Sequence, residues 1–401
     1  MSIRLTRRQR NIVDDATRFI HNSSSGQVFE YGGYAGTGKS VVMNAIADEC
    51  GIPRHRIAPM SYIGQAAIVM RTKGLLNAKT IHSWLFTPVE KEVLDEKGNV
   101  QMDPYFNIPK TETQFTADKI LDNIDVIFVD EGYSVPIELK PALLKTGKKI
   151  IVSGDPGQLP PPKSDPAFLT DTDNYYILDE ILRQGPGSSI VYLADRARKG
   201  LPIHYGYYGN SFVIDQEELN DALLGNALVT ICFTNKTRDY INNRVRHDIY
   251  HINSKLPVVG ERMVCRKNNW NIEVDNINLA NGLLGEVTDS QGVYGFNGKQ
   301  YTISFKPYMT NQQFENLKCD YEYLTAPVDK KNLFKNNRFN TAEKFEFAYA
   351  ITCHMAQGGQ FSNGIYIEEY GREIQNNLNY TGITRFQNNF IYVKRKRKKF
   401  Y

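Results

Sequence analysis

A doubly wound α/β fold, interrupted by a β-hairpin and by a longer β-rich insertion, is what this 401-residue sequence predicts. Three observations carry it. Short apolar runs end in acidic residues, DVIFVDE at 125–131 and KKIIVSGD at 148–155, as strands buried on both faces of a parallel sheet do. Segments with apolar residues at helical spacing alternate with such runs, which is the layering of an α/β protein. Between about Asn253 and Asn340 the chain becomes β-rich and punctuated by Gly and Asn, after which the α/β pattern returns.

In chain order, RRQRNIVDDATRFI places apolar residues at helical spacing, and QVFEYGGYAG is a strand running into a Gly-rich turn. KSVVMNAIADEC follows as a helix, and HRIAPMSYIGQAAIVM as a second strand, turn and helix. From Trp84 to Lys119 the character changes. TPVEKEVLDEKGNVQMDPYF carries the turn signal EKGN between two short alternating segments, which predicts an inserted hairpin. In the later β-rich stretch, NGLLGEVTD and VYGFNGKQYTISF supply strands with turn residues between them, and Trp270, Tyr301, Phe305 and Tyr308 are expected in its core. FEFAYAITCHMAQGG and NNFIYVKRKRKK resume the α/β pattern.

Composition bounds the function. Hydrophobic content of 41% and charged content of 23% are those of a soluble globular protein, and the length calls for two to four folding units. The sequence has no apolar run long enough to span a bilayer, and MSIRLTRRQRNIVDD has no signal-peptide core, so a cytoplasmic protein without a membrane partner is expected. Five cysteines stand singly, which suggests neither zinc nor a disulfide framework. The formal charge is +4, and the run KRKRKK at 394–399 accounts for more than that, so the body is close to neutral and any polyanion must be held by local patches. The run itself suits phosphate, or simply a solvated chain end.

Gly33-Tyr-Ala-Gly36-Thr37-Gly38-Lys39-Ser40 fits G-x-x-x-x-G-K-[ST] between a strand and a helix. Glycines let backbone N–H groups turn toward phosphate oxygens, and the helix presents its positive end to the same anion. Lys39 reaches the β and γ phosphates, and the Ser40 hydroxyl holds Mg2+. VIFVDE supplies the partner group: Asp130 for Mg2+ and Glu131 to polarise an attacking water. In IIVSGDPGQLPPP, Gln158 follows a third apolar run, where an amide that both donates and accepts suits a γ-phosphate sensor. ATP and Mg2+ are therefore the expected cofactors.

With DEGYS and GDPGQLPPP in place, the chain resembles a superfamily 1 helicase of the RecD-like branch, which includes the phage Dda helicase. Eight matches fall in family order, from LTRRQ at 5–9 through GYAGTGKS, APMSYIGQAA, TIHSW, VDEGYS and GDPGQLPP to AYAITCHMAQGGQF and LNYTGITRF. The resemblance implies two RecA-like P-loop motor domains with an inserted β-hairpin and an SH3-like β-barrel insertion. On that pattern residues 1–168 form the first motor with the pin at 84–118, residues 169–252 and 341–401 the second, and residues 253–340 the SH3-like part. It implies adenine contact by Gln9, arginine fingers at Arg183 in LDEILRQ and Arg385 in LNYTGITRF, and a ribose contact by Gln360. Single-stranded DNA would be gripped by Pro59, Ser61, Thr80 and His82 in the first motor and by Thr352, His354 and Gln357 in the second. The pattern departs from the family at Met355, where Lys is usual, and at Gln360, where an acid is usual, which touches strand grip and ribose contact.

The activity implied is ATP-dependent translocation on single-stranded DNA, 5′ to 3′, with unwinding at a fork. The implied setting is phage or bacterial DNA metabolism, DNA replication included, with a monomer working beside a single-strand binding protein or replisome. Three other readings fit parts of the sequence: within the same chemistry, a translocase with little unwinding, and from other classes, a P-loop nucleotide or polynucleotide kinase and a non-enzymatic single-strand binding or replisome adaptor. A kinase needs neither Gln158 nor two distant arginines, and an adaptor has no use for Lys39, Asp130 and Glu131.

Overall fold

The computed structural model describes residues 4–95, 98–102, 109, 111–171, 176–180, 188–275, 277–294, 300–327, 331 and 342–395. Its first sheet contains strands β1 (Val28–Gly33), β2 (Ile57–Ser61) and β3 (Lys79–Thr80). A hairpin of β4 (Phe86–Glu92) and β5 (Thr111–Ala117) intervenes before β6 (Val126–Asp130), β7 (Lys149–Gly154) and β8 (Tyr176–Leu178). The order is β3-β2-β6-β7-β1-β8 and every pairing is parallel. Helices cover both faces, which explains the unbroken apolar runs. Val126 and Phe128 face one core cluster while Ile127 and Val129 face the other. Each such side chain contributes on the order of 1.5–3 kcal/mol when fully buried.

The second sheet takes β9 (Gly206–Tyr208), β10 (Ser211–Asp215) and β11 (Thr230–Cys232) from before the β-rich segment. The segment itself holds β12 (Arg262–Cys265), β13 (Asn269–Val274), β14 (Ile277–Leu279), β15 (Leu284–Tyr294), β16 (Gln300–Pro307), β17 (Phe314–Asp320) and β18 (Phe345–Phe347). After it come β19 (Ala350–Thr352), β20 (Ile365–Ile367) and β21 (Ile391–Lys394), giving the order β19-β11-β20-β21-β10-β9. Only the edge pair β9–β10 of this sheet is antiparallel among the described pairings.

Two expectations are adjusted. The first sheet runs past residue 168, because Tyr176–Leu178 pairs with Tyr31–Gly33 and completes its edge. The hairpin signalled by EKGN does turn there: Gly98 has φ +81°, and Leu94 bridges Val100. Its long ladder, however, joins Phe86–Glu92 to Thr111–Ala117, so the pairing is more distant than the turn suggests.

The β-rich insertion is a five-stranded antiparallel sheet, β17-β16-β15-β12-β18, beside the two-stranded pair β13–β14. Tyr301 and Phe305 lie in its core as expected, Trp270 packs against that core, and Tyr308 is 38% exposed. Ile68, from the helix Gly64–Thr72 of the first lobe, is buried in that same core, and Arg71 of that helix pairs with Glu273 at 2.7 Å. The insertion therefore docks on the first lobe while its chain belongs to the second. Among the described residues no helix is long and apolar enough to cross a membrane.

Candidate nucleotide and nucleic-acid site

Parallel strands bring their C-terminal ends to one side, where a crevice opens beside the strand at which the winding reverses. β1 is that strand, lying between β7 and β8 while the chain continues to distant β2. The ends of β1, β6 and β7 therefore place the phosphate loop, Asp130 and the Gln158 loop together.

Gly36 and Gly38 have φ of +82° and +86°, a region that favours glycine. Gly38 caps the helix Lys39–Glu49 without a side-chain bond, leaving the first amides available to an anion. Thr37 folds the loop by donating its N–H and hydroxyl to Tyr34 O at 3.3 and 2.8 Å. Behind it, Gln9 donates to Thr37 O at 3.0 Å and accepts from Thr6 N at 3.0 Å, within the capping box of the helix Arg7–His21. Gln9 lines the cavity, but its amide serves the loop and the helix cap, a supporting position that the motif alone did not reveal.

Lys39 Nζ donates to Gly33 O at 2.7 Å and Tyr34 O at 3.3 Å, and stands 3.8 Å from Asp155 Oδ2. Asp130 Oδ1 accepts from Ser153 Oγ at 2.5 Å and from Glu131 N at 3.0 Å. Ser40 Oγ accepts from Lys73 Nζ at 3.1 Å. The Ser40 hydroxyl and the Asp130 carboxylate border one cavity and are hard oxygen donors, a set that fits Mg2+, which takes one or two protein ligands beside phosphate and water.

Glu131 adopts a left-handed conformation, φ 55° and ψ 41°, a strain on the order of 1–3 kcal/mol of the kind found at functional sites. Gly132 makes this corner possible. A Cβ there would meet Val152 Cγ1 at 2.3 Å, inside contact distance. Gly132→Ala is expected to lower stability by about 1–3 kcal/mol through overpacking, read as a shifted urea midpoint with an unchanged slope.

Enclosure in the cleft raises the Glu131 carboxyl, Asp130 raises it further, and Lys39 and Arg385 oppose the rise. Only the ionised form polarises water, so hydrolysis is expected to fall, as pH is lowered, at values above the usual carboxylate range. Glu131→Gln should retain nucleotide binding, lower kcat by about 10²–10⁴-fold and abolish that pH limb, as a pH–rate profile would report.

Gln158 is buried; its Nε2 donates to Asp155 Oδ2 at 3.4 Å, while Oε1 has no partner among the described residues. An unsatisfied buried acceptor at the cavity wall suits a group waiting for water or phosphate. From the second lobe comes Arg385, 5% exposed, with Nε donating to Thr381 O at 3.2 Å. It lines the same cavity of about 560 Å³ as Lys39, Ser40, Asp130, Glu131 and Gln158. Gln360 also borders it, with its Oε1 accepting from Gln387 Nε2 at 2.9 Å. Arg183 lies outside the described residues.

The two lobes also present matching corners. Thr80 ends edge strand β3 and caps the helix Ile81–Leu85; Thr352 ends edge strand β19 and caps the helix Cys353–Ala356. Two residues beyond each threonine stands a histidine packed on aromatics, His82 between Tyr62 and Phe86, and His354 beside Phe233. Burial lowers both imidazole pKa values, which keeps them neutral hydrogen-bonding groups near neutral pH.

Other expected contacts are differently placed. Pro59 is buried within β2, where its carbonyl accepts from Trp84 Nε1 at 2.9 Å. Ser61 is buried and accepts from Ile63 N at 3.3 Å. Gln357 is buried too, and it donates to Leu159 O at 3.0 Å, so its side chain joins the two lobes.

A family model described as AAA domain matches residues 4–212, more than half of the chain. The chain belongs to the AAA domain family. This AAA domain protein is also similar in fold to a Pif1 structure concerned with unwinding at forked duplex DNA. That match has a TM-score of 0.60 and 16% identity, covering 97% of this chain and 92% of that one. Bacteroides Pif1 bound to single-stranded DNA gives a TM-score of 0.59 at 16% identity, over 98% of this chain and 92% of that one. A Methanocaldococcus jannaschii protein, MJ1519, is 24% identical over 97% of this chain, which spans 38% of that protein's length. The shared feature is the fold, two RecA-like lobes facing a cleft.

Sequence reasoning missed Asp155, Tyr380 and Asn377. All three stand in or beside stretches already singled out, GDPGQLPPP and LNYTGITRF, but only contact across the cleft gives them a role.

Proposed function

We propose that this protein is an ATP-hydrolysing DNA helicase. ATP binds between its lobes, and opening and closing of the cleft moves the protein along single-stranded DNA, 5′ to 3′. The observation that carries this is the position of Arg385. A guanidinium from the second lobe borders the cavity built by Lys39, Asp130, Glu131 and Gln158 of the first. Such an arrangement makes catalysis depend on lobe closure, because the transferring phosphoryl group carries charge that both lobes must neutralise.

Ser40 and Asp130 would hold Mg2+, which when bound neutralises charge on the β and γ phosphates. Lys39 and the loop amides bind the phosphates, Glu131 orients and polarises water, and Gln158 senses the γ-phosphate. The paired Thr80/His82 and Thr352/His354 corners bind successive stretches of the strand, so a change in lobe spacing becomes a step. The hairpin Phe86–Ala117 is the candidate strand separator, and the β-rich insertion, docked on the helix Gly64–Thr72, is an SH3-like cover for the strand.

The test is ATP hydrolysis with and without single-stranded DNA, followed by unwinding of duplexes bearing 5′ or 3′ tails. Strong DNA stimulation and unwinding from 5′ tails are expected. Labelled phosphate transferred to a nucleoside or a DNA end, instead of released as inorganic phosphate, would establish a kinase in its place.

A further inference from the structure

We infer that Tyr380 is a positioning residue whose hydroxyl, touching both lobes, sets Arg385 against the phosphate loop. The inference rests on the function proposed above. Tyr380 is buried in the helix Gln375–Ile383 of the second lobe. Its hydroxyl accepts the Ala35 N–H of the phosphate loop at 2.8 Å and donates to Asp155 Oδ2 at 2.8 Å.

That carboxylate oxygen is a meeting point. Lys39 Nζ lies 3.8 Å from it and Gln158 Nε2 donates to it at 3.4 Å. One atom of the fully buried Asp155 thus connects the phosphate-binding lysine, the candidate sensor and the second lobe. When Lys39 turns to a phosphate, Asp155 loses a cation, and its remaining bonds, from Gln158 and Tyr380 at Oδ2 and from the Gly157 N–H at Oδ1 (3.0 Å), must carry the negative charge. Site occupancy is thereby transmitted to the helix of Tyr380.

The same helix face holds the Gln158 loop at further points, as residues three and four apart can. Asn377 Nδ2 donates to Gly157 O at 3.1 Å and Gln158 O at 2.9 Å, and Thr381 Oγ1 accepts from Leu159 N at 2.9 Å. Arg385 is fixed to the end of this helix by its bond to Thr381 O. Whatever registers the helix against Ala35 and Asp155 therefore registers the guanidinium as well.

Tyr380→Phe removes the hydroxyl and keeps the ring that packs edge-on to Tyr34. In the full chain it is expected to lower DNA-stimulated kcat about tenfold, with KM for ATP and the affinity for fluorescent ADP changed less than twofold. Against an Arg385→Ala background, followed with radiolabelled ATP, the same change should cost less than twofold, because the effect runs through Arg385. An unchanged kcat, a rise in KM alone, or an equal loss in both backgrounds overturns the inference.

Hydrogen exchange gives a reading that does not need turnover. Tyr380→Phe should raise the exchange rate of the Ala35 amide at least tenfold, and unchanged protection there overturns the inference. Failure of the unaltered chain to hydrolyse ATP would instead count against the proposed helicase, leaving the exchange result to judge Tyr380.

Discussion

Arg385→Ala is expected to cost about 10³-fold or more in DNA-stimulated ATP hydrolysis, while ADP binding stays close to that of the unaltered protein. The expectation follows from what touches what. The phosphate loop, Lys39 and Ser40 all come from the first lobe and suffice to hold a diphosphate. Arg385 enters the cavity from the second lobe and so matters most when the lobes close on a transferring phosphoryl group. A guanidinium in that role contributes 10³–10⁵-fold in related chemistry, about 4–7 kcal/mol. Arg385→Lys should rescue little, since the planar fork is held at the cavity wall through all three of its nitrogens, by Thr381 O, Gly359 O and Thr384 Oγ1, which one ammonium does not reproduce. Single-turnover hydrolysis beside equilibrium ADP binding separates the two effects. A parallel loss of ADP affinity would place Arg385 in the ground-state site instead.

Lys39→Ala should be as severe, about 10³-fold in kcat, with unwinding lost as well. Its side chain is 13% exposed and its ammonium is held between two loop carbonyls and Asp155, poised at the centre of the phosphate cradle. Truncation leaves the Gly33 and Tyr34 carbonyls and the Asp155 carboxylate facing a polyanion with no cation between them. Nucleotide affinity is therefore expected to fall too, unlike the outcome for Arg385. DNA binding without nucleotide should remain, because Thr80, His82, Thr352 and His354 lie at other corners of the two sheets. A Lys39→Ala protein that kept DNA-stimulated hydrolysis would remove the phosphate loop from the mechanism.

The two cases differ in how legible they were. Lys39 stands in a loop whose conformation is set within eight residues, by Gly36, Gly38 and the bonds Thr37 makes to Tyr34. Asp130 and Gln158 follow short apolar strands, and a buried parallel strand must deliver its C-terminal residue to the sheet edge where ligands bind. Such signals are local, and the chain spells them out. The boundary of the first lobe was less readable, because Tyr176–Leu178 is a three-residue edge strand with two half-exposed residues, too short to set a strand apart by periodicity.

By itself, then, the sequence determined the α/β class, the phosphate loop, the acidic pair at the end of β6 and the β-rich interruption, since each depends on periodicity or on backbone freedom over a few residues. Tertiary structure alone decided that Tyr380 would meet Ala35 and Asp155, 345 and 225 positions away along the chain. It also decided that Gln9 would brace a loop and that Ile68 would fill the core of a distant insertion. A hydrogen bond between buried groups depends on where two packed lobes bring their surfaces, and no periodicity in either partner encodes the other's address.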